Sequence, residues 1–163
     1  MTTSLTPLRA PNWLRHLTEA RARYEEQLGW QVSVQAGCKD LVLITGGIVG
    51  AIGMPARLGA RVRQELGFTM LCGPIAADTS GWWTFLTRPV GTLRPDVAQD
   101  LAAVRVQVAP RGIRVEIPCE VNGSAIGGWR WVERPVSSRP LPPGSAVVSM
   151  VRRLTYDHGH LAA

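Results

Sequence analysis

The chain has 163 residues, 45% of them hydrophobic and 18% charged, which indicates one globular domain and excludes an intrinsically disordered protein. No apolar run approaches the roughly 20 residues that cross a bilayer, and the N-terminus lacks a secretory signal, so we expect a cytoplasmic protein without a membrane partner. The formal net charge is +6, and every basic residue except Lys39 is an arginine, which favours an acidic partner such as nucleic acid but also fits a high-GC genome.

The first half of the chain predicts two helices and two strands. Residues 11–29 carry apolar side chains at three- and four-residue steps, which is typical of an amphipathic helix. "WQVSV" (30–34) alternates and "DLVLI" (40–44) is a short apolar run, so both predict strands. The glycine-rich stretch "TGGIVGAIGMP" follows, and residues 56–67 predict the second helix.

The second half predicts more strands and a closing helix. Alternating runs between turn residues predict strands at about 68–77, 82–87, 103–109, 113–117 and 129–132. The third and fourth of these flank "PRG" and predict a hairpin, and "RPDVAQDLAAV" predicts a short helical turn before them. "NGSAIGG" predicts a loop, and residues 145–154 predict a helix.

This order of elements predicts one α+β domain at 11–154, with a mostly antiparallel sheet and helices packed on it. Residues 1–10 and 155–163 are expected to form flexible tails.

The glycine-rich stretch is a candidate phosphate-binding loop, because Gly46, Gly47 and Gly50 lie between a strand and a helix. It lacks both the GxxxxGK[ST] and the GxGxxG patterns, so backbone N–H groups and Arg57 or Arg61 would have to hold the phosphate. The alternative is a tight turn.

Metal ligation finds little support in the sequence. Asp157, His158 and His160 cluster near the C-terminus without a fourth ligand, and the three cysteines show no CxxC spacing. We therefore predict no metal, no cofactor and no disulfide framework, with all three thiols buried.

Five segments together resemble the N-terminal domain of bifunctional DNA primase–polymerases, over about residues 13–153. They are "WLRHLTEARARYEEQLGWQVSV", "DLVLITGGIVG", "DTSGWWTFL", "GIRVEIPCEVNGSAIGGWRWVERP" and "RPLPPGSAVVSMVRRL". The resemblance implies an RRM-like sheet and a protein that makes or extends nucleic acid strands.

The same resemblance implies that the catalytic residues have been replaced. The family's two metal-binding acids would fall at Ile44 and Thr45, a third acid at Val106, and its histidine in the strand that here begins with Trp82. Phosphoryl transfer needs carboxylates to hold its metal ions, so the resemblance implies a non-catalytic member. Asp40, at the start of its strand, is not at the implied position.

Three functions remain open. The first is a binding module for DNA, RNA or a nucleotide, with candidate contacts at Arg57, Arg61, Arg63, Arg88, Arg105 and Trp82. The second is a small regulatory module that binds another protein. The third is an active enzyme whose metal site lies elsewhere in the chain.

Overall fold

A computed structural model describes residues 9–159, with only the backbone described at 158 and 159. Its elements in chain order are α1 (Asn12–Leu28), β1 (Val32–Gln35), β2 (Asp40–Ile44), β3 (Gly50–Pro55), α2 (Ala56–Phe68), β4 (Ile75–Ala77), β5 (Trp82–Thr87), α3 (Pro95–Ala103), β6 (Gln107–Val108), β7 (Arg114–Ile117), β8 (Cys119–Val121), β9 (Ser124–Ile126), β10 (Arg130–Glu133) and α4 (Gly144–Gly159). The prediction of one α+β domain with antiparallel sheets is confirmed.

The central sheet has five strands in the order β10-β4-β5-β3-β6, and every neighbouring pair is antiparallel. Four of these five strands, β3, β4, β5 and β6, form a β-α-β-β-α-β unit of the split β-α-β type together with α2 and α3, which lie between them in the chain. One edge of this sheet is short, since β6 has two residues, and the other is irregular, since the pairing of β10 shifts between Trp131 and Glu133.

Three helices cover one face of the central sheet. Ile52 and Met54 of β3 and Phe85 of β5 are buried there with residues of α2, α3 and α4. Alternate residues of the same strands point the other way, as the two-residue period of a strand requires.

The opposite face of the central sheet is covered by α1 and by a second sheet of order β1-β2-β7. Ala51 and Leu86 of the central sheet share this core with Leu17 of α1 and with Leu41 and Leu43 of β2. Both faces of the central sheet are therefore buried.

Tyr24 fastens α1 to this second layer. Its hydroxyl donates to the carbonyl oxygen of Pro118 at 2.7 Å and accepts from Nε1 of Trp131 at 3.0 Å. Its ring stacks on Trp30, with centroids 5.8 Å apart. Burial is the main reason that the pKa of Tyr24 rises to about 12.

The strand predicted at 68–77 is wrong over most of its length. Only Ile75–Ala77 is a strand, because α2 continues to Phe68 and a turn follows in which the N–H of Leu71 donates to the carbonyl of Leu66. Met70 adopts a left-handed conformation in that turn, with φ of 57°, and this ends the helix.

The hairpin predicted around "PRG" is also wrong. Helix α3 extends to Ala103, so only Gln107–Val108 remains as a strand, and it pairs with β3, whereas β7 pairs with β2. A hairpin forms instead at β8 and β9, and β9 lies within "NGSAIGG", which was predicted as a loop. Helix α4 runs to Gly159, five residues beyond the predicted domain end at 154, so the start of the expected C-terminal tail is helical.

Helix α2 approaches β5 closely at Gly59, where an added Cβ would lie 2.8 Å from Cε3 of Trp83. We expect Gly59→Ala to lower the free energy of unfolding by about 1–3 kcal/mol, because the indole ring must move. Gly67→Ala in the same helix is the matched control, since nothing lies within 4 Å of its Cβ, and it should stabilise by up to about 1 kcal/mol. Urea titration measures both variants, and equal effects would contradict the packing argument.

The buried hydroxyl of Tyr24 also predicts a pH dependence. The folded state keeps the proton up to a pKa of about 12, whereas the unfolded chain loses it near 10, so stability falls as pH rises between these values. The loss should be about 2–3 kcal/mol. Urea titrations of wild type and Tyr24→Phe across this range measure it, and parallel pH profiles for the two proteins would contradict it.

Candidate functional site

The arginines predicted to bind nucleic acid do not share one surface. Trp82 pairs with Pro55, and the strand that follows Arg105 pairs with Gly53, so Trp82, Arg105 and the adjacent start of α2 lie at one end of the central sheet. Arg57 and Arg61 are on the first turns of α2.

Arg88 lies at the opposite end, directly after Thr87, which pairs with Gly50. Six residue steps along β5 separate it from Trp82, or about 20 Å at the rise of a strand. Arg63 is on another flank of α2, where its Nε donates to Glu133 at 2.6 Å. The predicted binding residues therefore divide between at least two surfaces.

Trp82 packs inside the protein as well as at its surface. A Cβ added at Gly53 would lie 2.5 Å from Nε1 of the indole, so the ring rests against the backbone of β3. Trp82 is half-buried, and stacking of a base on it stays a prediction.

The glycine-rich stretch forms a tight turn and a strand. Gly46 and Val49 exchange backbone hydrogen bonds of 2.9 and 3.1 Å, and Gly47 has a left-handed φ of 49°. Gly50 begins β3, where a Cβ would approach Cα of Pro89 to 2.9 Å. Because all of β3 separates the turn from α2, the N-terminus of α2 does not adjoin Gly46 and Gly47, and the predicted phosphate loop lacks that support.

The positions where the primase–polymerase resemblance implies acids hold structural residues. The buried hydroxyl of Thr45 contacts the carbonyls of Pro110 and Ile113 at 2.5 and 3.2 Å and accepts from the N–H of Ile113 at 3.0 Å. Val106 is buried in the core beneath the helices. These two side chains join segments of the fold together.

Two carboxylates, Asp40 and Glu116, lie near each other on the second sheet. Val42 pairs with Glu116, and Asp40 is two residues away on the same side of β2. Partial burial raises the pKa of Asp40, and the charge of Glu116 raises it further. Among the described residues, no three His, Cys, Asp or Glu side chains come close enough to hold a metal ion. The predicted cluster at 157–160 lies largely outside the described side chains.

A groove of about 1580 Å³ lies beside α2. Four parts of the chain line it: the end of α1 with the turn at 47–48, α2 from Ala60 onward with residues 70–74, residues 88–89 after β5, and the segment at 133–143. We call it the α2 groove.

Exposed aliphatic side chains concentrate in the α2 groove. Seven large hydrophobic side chains are exposed among the described residues, and four line this groove: Ile48 (55% exposed), Met70 (89%), Leu71 (40%) and Val136 (47%). Phe68, 75% exposed, adjoins the groove residue Gly67 in sequence. Sequence reasoning missed this cluster because it assigned residues 68–77 to a strand.

The α2 groove is also strongly basic. Its lining contains four arginines, Arg63, Arg88, Arg134 and Arg139, and Glu133 is its only acid. Arg63 is paired with Glu133, and Arg134 makes two hydrogen bonds to Glu120 at 2.9 and 3.1 Å. Arg88 and Arg139 are exposed, and within the described residues their guanidinium groups make no hydrogen bond or salt bridge, although the charge of Arg139 acts on the nearby thiol of Cys72.

The thiols differ in exposure, contrary to the prediction that all three are buried. Cys119 is buried, Cys38 is exposed, and Cys72 lies half-buried in the lining of the α2 groove. Burial is the main reason that the pKa of the Cys72 thiol is raised, which keeps it protonated and weakly nucleophilic.

Comparison with protein-family models, curated proteins and solved structures found no match to this chain. The primase–polymerase resemblance therefore stays a prediction. None of the helices in the part of the chain that the structure describes has the length and apolarity needed to traverse a bilayer.

The occupants of the implied metal positions predict the outcome of a polymerase assay. With Mg²⁺ or Mn²⁺, the purified protein should not add labelled nucleotides to a primed template, because Thr45 and Val106 supply no carboxylate. Metal-dependent incorporation that Asp40→Asn and Glu116→Gln each abolish would contradict this.

The raised pKa of Asp40 predicts an effect on stability. Asp40→Asn should raise the melting temperature near pH 7, since the ionised form of Asp40 is disfavoured in the folded state.

Proposed function

We propose that the protein is a non-catalytic binding module that docks a segment of another protein in the α2 groove. The observation that carries the proposal is the concentration of exposed aliphatic side chains in this one concave surface. Contiguous exposed apolar surface on a folded domain is typical of protein–protein contact sites.

The size of the α2 groove favours a macromolecular partner. Small-molecule sites usually enclose about 300–1,000 Å³. The α2 groove is larger, at about 1580 Å³. A peptide segment fits such a surface better than a single nucleotide does.

The side chains of the α2 groove also favour protein over nucleic acid. Single-stranded nucleic acids stack their bases on exposed aromatic rings, worth about 1–3 kcal/mol per base. The aromatic residue in the lining is Trp30, which is only 3% exposed, and the exposed large hydrophobic residues of the lining are aliphatic. Phe68 is an exposed ring beside the lining, but a single ring offers no series of stacking positions. Binding of DNA or RNA through Arg57, Arg61 and Arg105 stays a prediction.

The proposal contains no chemical step. The half-buried thiol of Cys72 has a raised pKa, and the other ionisable groups of the lining are arginines and Glu133. Arginine side chains stay protonated at neutral pH, so they bind anions and do not transfer protons.

Site-specific photocrosslinking in cells tests the proposal. With p-benzoylphenylalanine at Met70 we expect crosslinks to a discrete protein partner, and the combined change Ile48→Asp and Leu71→Asp should reduce them at least about tenfold. The same probe at Arg57, an exposed position on the first turn of α2, is the control and should yield none. Crosslinks to nucleic acid at Met70, or no crosslink above the control, would refute a protein-binding α2 groove.

A further inference from the structure

We infer that the occupant of the α2 groove is an acidic amphipathic helix of a partner protein. This inference rests on the proposed function and adds the chemistry and the conformation of the bound segment. Charge, backbone chemistry and apolar exposure within the groove each support it.

Charge complementarity indicates that the bound segment of the partner is negatively charged. Four arginines and one glutamate line the α2 groove, so a docked segment meets a net positive surface. Guanidinium groups bind carboxylates through two parallel hydrogen bonds, and Arg134 already binds Glu120 in this way. The guanidinium groups of Arg88 and Arg139 remain available for the carboxylates of a partner.

The backbone of the groove lining favours a partner that binds as a helix over one that binds as an added strand. A peptide that binds as an added strand needs free N–H and C=O groups along one edge of its receptor. Six residues of the lining are prolines, which have no N–H: Pro74, Pro89, Pro135, Pro140, Pro142 and Pro143. The N–H of Arg88 is also engaged, since it donates to the carbonyl of Pro142 at 2.8 Å.

A helix avoids this difficulty because it satisfies its own backbone and presents only side chains. Its apolar residues at i, i+3, i+4 and i+7 would contact Ile48, Met70, Leu71 and Val136, which are the exposed aliphatic residues of the lining. Acidic residues beside this stripe would reach Arg88 and Arg139. A helix of about three turns, close to 16 Å long, supplies four such apolar positions.

Defined peptides test the inference by fluorescence anisotropy at about 50 and 150 mM salt. The first probe is a helical peptide of about 14 residues with leucine at i, i+3, i+4 and i+7 and glutamate beside them. Three others are its lysine-for-glutamate version, a scrambled peptide of the same composition, and a deoxythymidine oligonucleotide. We expect the acidic amphipathic peptide to bind at least about tenfold more tightly than each of the others.

Charge reversal in the protein makes the test specific to the groove. The double variant Arg88→Glu and Arg139→Glu should lose the acidic peptide and gain the lysine peptide. The double variant Arg57→Glu and Arg105→Glu is the control, because it changes the same charge outside the groove lining and should keep the wild-type preference. Circular dichroism confirms that each variant is folded.

Equal binding of the scrambled peptide or the oligonucleotide would overturn the inference, because the α2 groove would then recognise only negative charge. An unchanged preference in the Arg88→Glu and Arg139→Glu variant would overturn it as well. The two proposals fail separately. Crosslinks from Met70 to a protein, with no binding of the acidic helix, would refute this occupant alone. Absence of crosslinks from Met70 above the Arg57 control in the otherwise wild-type protein would refute the docking function.

Discussion

Burial of the central sheet on both faces is the constraint on which the rest of the molecule depends. Ile52 and Phe85 point towards the three helices, while Ala51 and Leu86 point towards α1 and the second sheet. Small residues make the second layer possible, since Gly53 lies directly beneath the ring of Trp82. An RRM leaves one sheet face open to stack bases. In this chain both faces of the central sheet are covered, and the α2 groove lies at the margin of the sheet.

The arginines divide into those that join elements of the fold and those that face solvent. Arg152 binds Asp100 and links α4 to α3, while Arg63 links α2 to β10 through Glu133. Such exposed pairs contribute at most about 1 kcal/mol each, so their main effect is on the placement of charge. Glu120 and Glu133 partly neutralise the arginines nearest to them, which leaves Arg88 and Arg139 as the cationic groups of the groove able to meet a partner. The net charge of +6 for the whole chain therefore does not show which arginines of the α2 groove are paired with glutamates and which are not.

Local sequence patterns predicted an element well where turn residues and the alternation of side chains mark its ends and its type. The strand at 82–87 is correct at both ends, because its turn residues precede it and its side chains alternate between two cores. The strand predicted at 68–77 was wrong over most of its length because an apolar run does not show whether a neighbouring strand pairs with it. Met70, in the middle of this run, is exposed. The pairing of β6 with β3 depends on contacts distant in sequence, so no local pattern predicts it. The α2 groove combines four separated parts of the chain, so no local pattern predicts it either.

The short edges of the central sheet bear on how the protein behaves at high concentration. One edge is the two-residue β6, and at the other edge the pairing of β10 shifts between Trp131 and Glu133. Long regular edges invite strands of other molecules to pair with them, whereas short or irregular edges discourage this. The edges of the central sheet therefore offer no long ladder of backbone groups that could turn transient contacts of the exposed aliphatic side chains into fibrils.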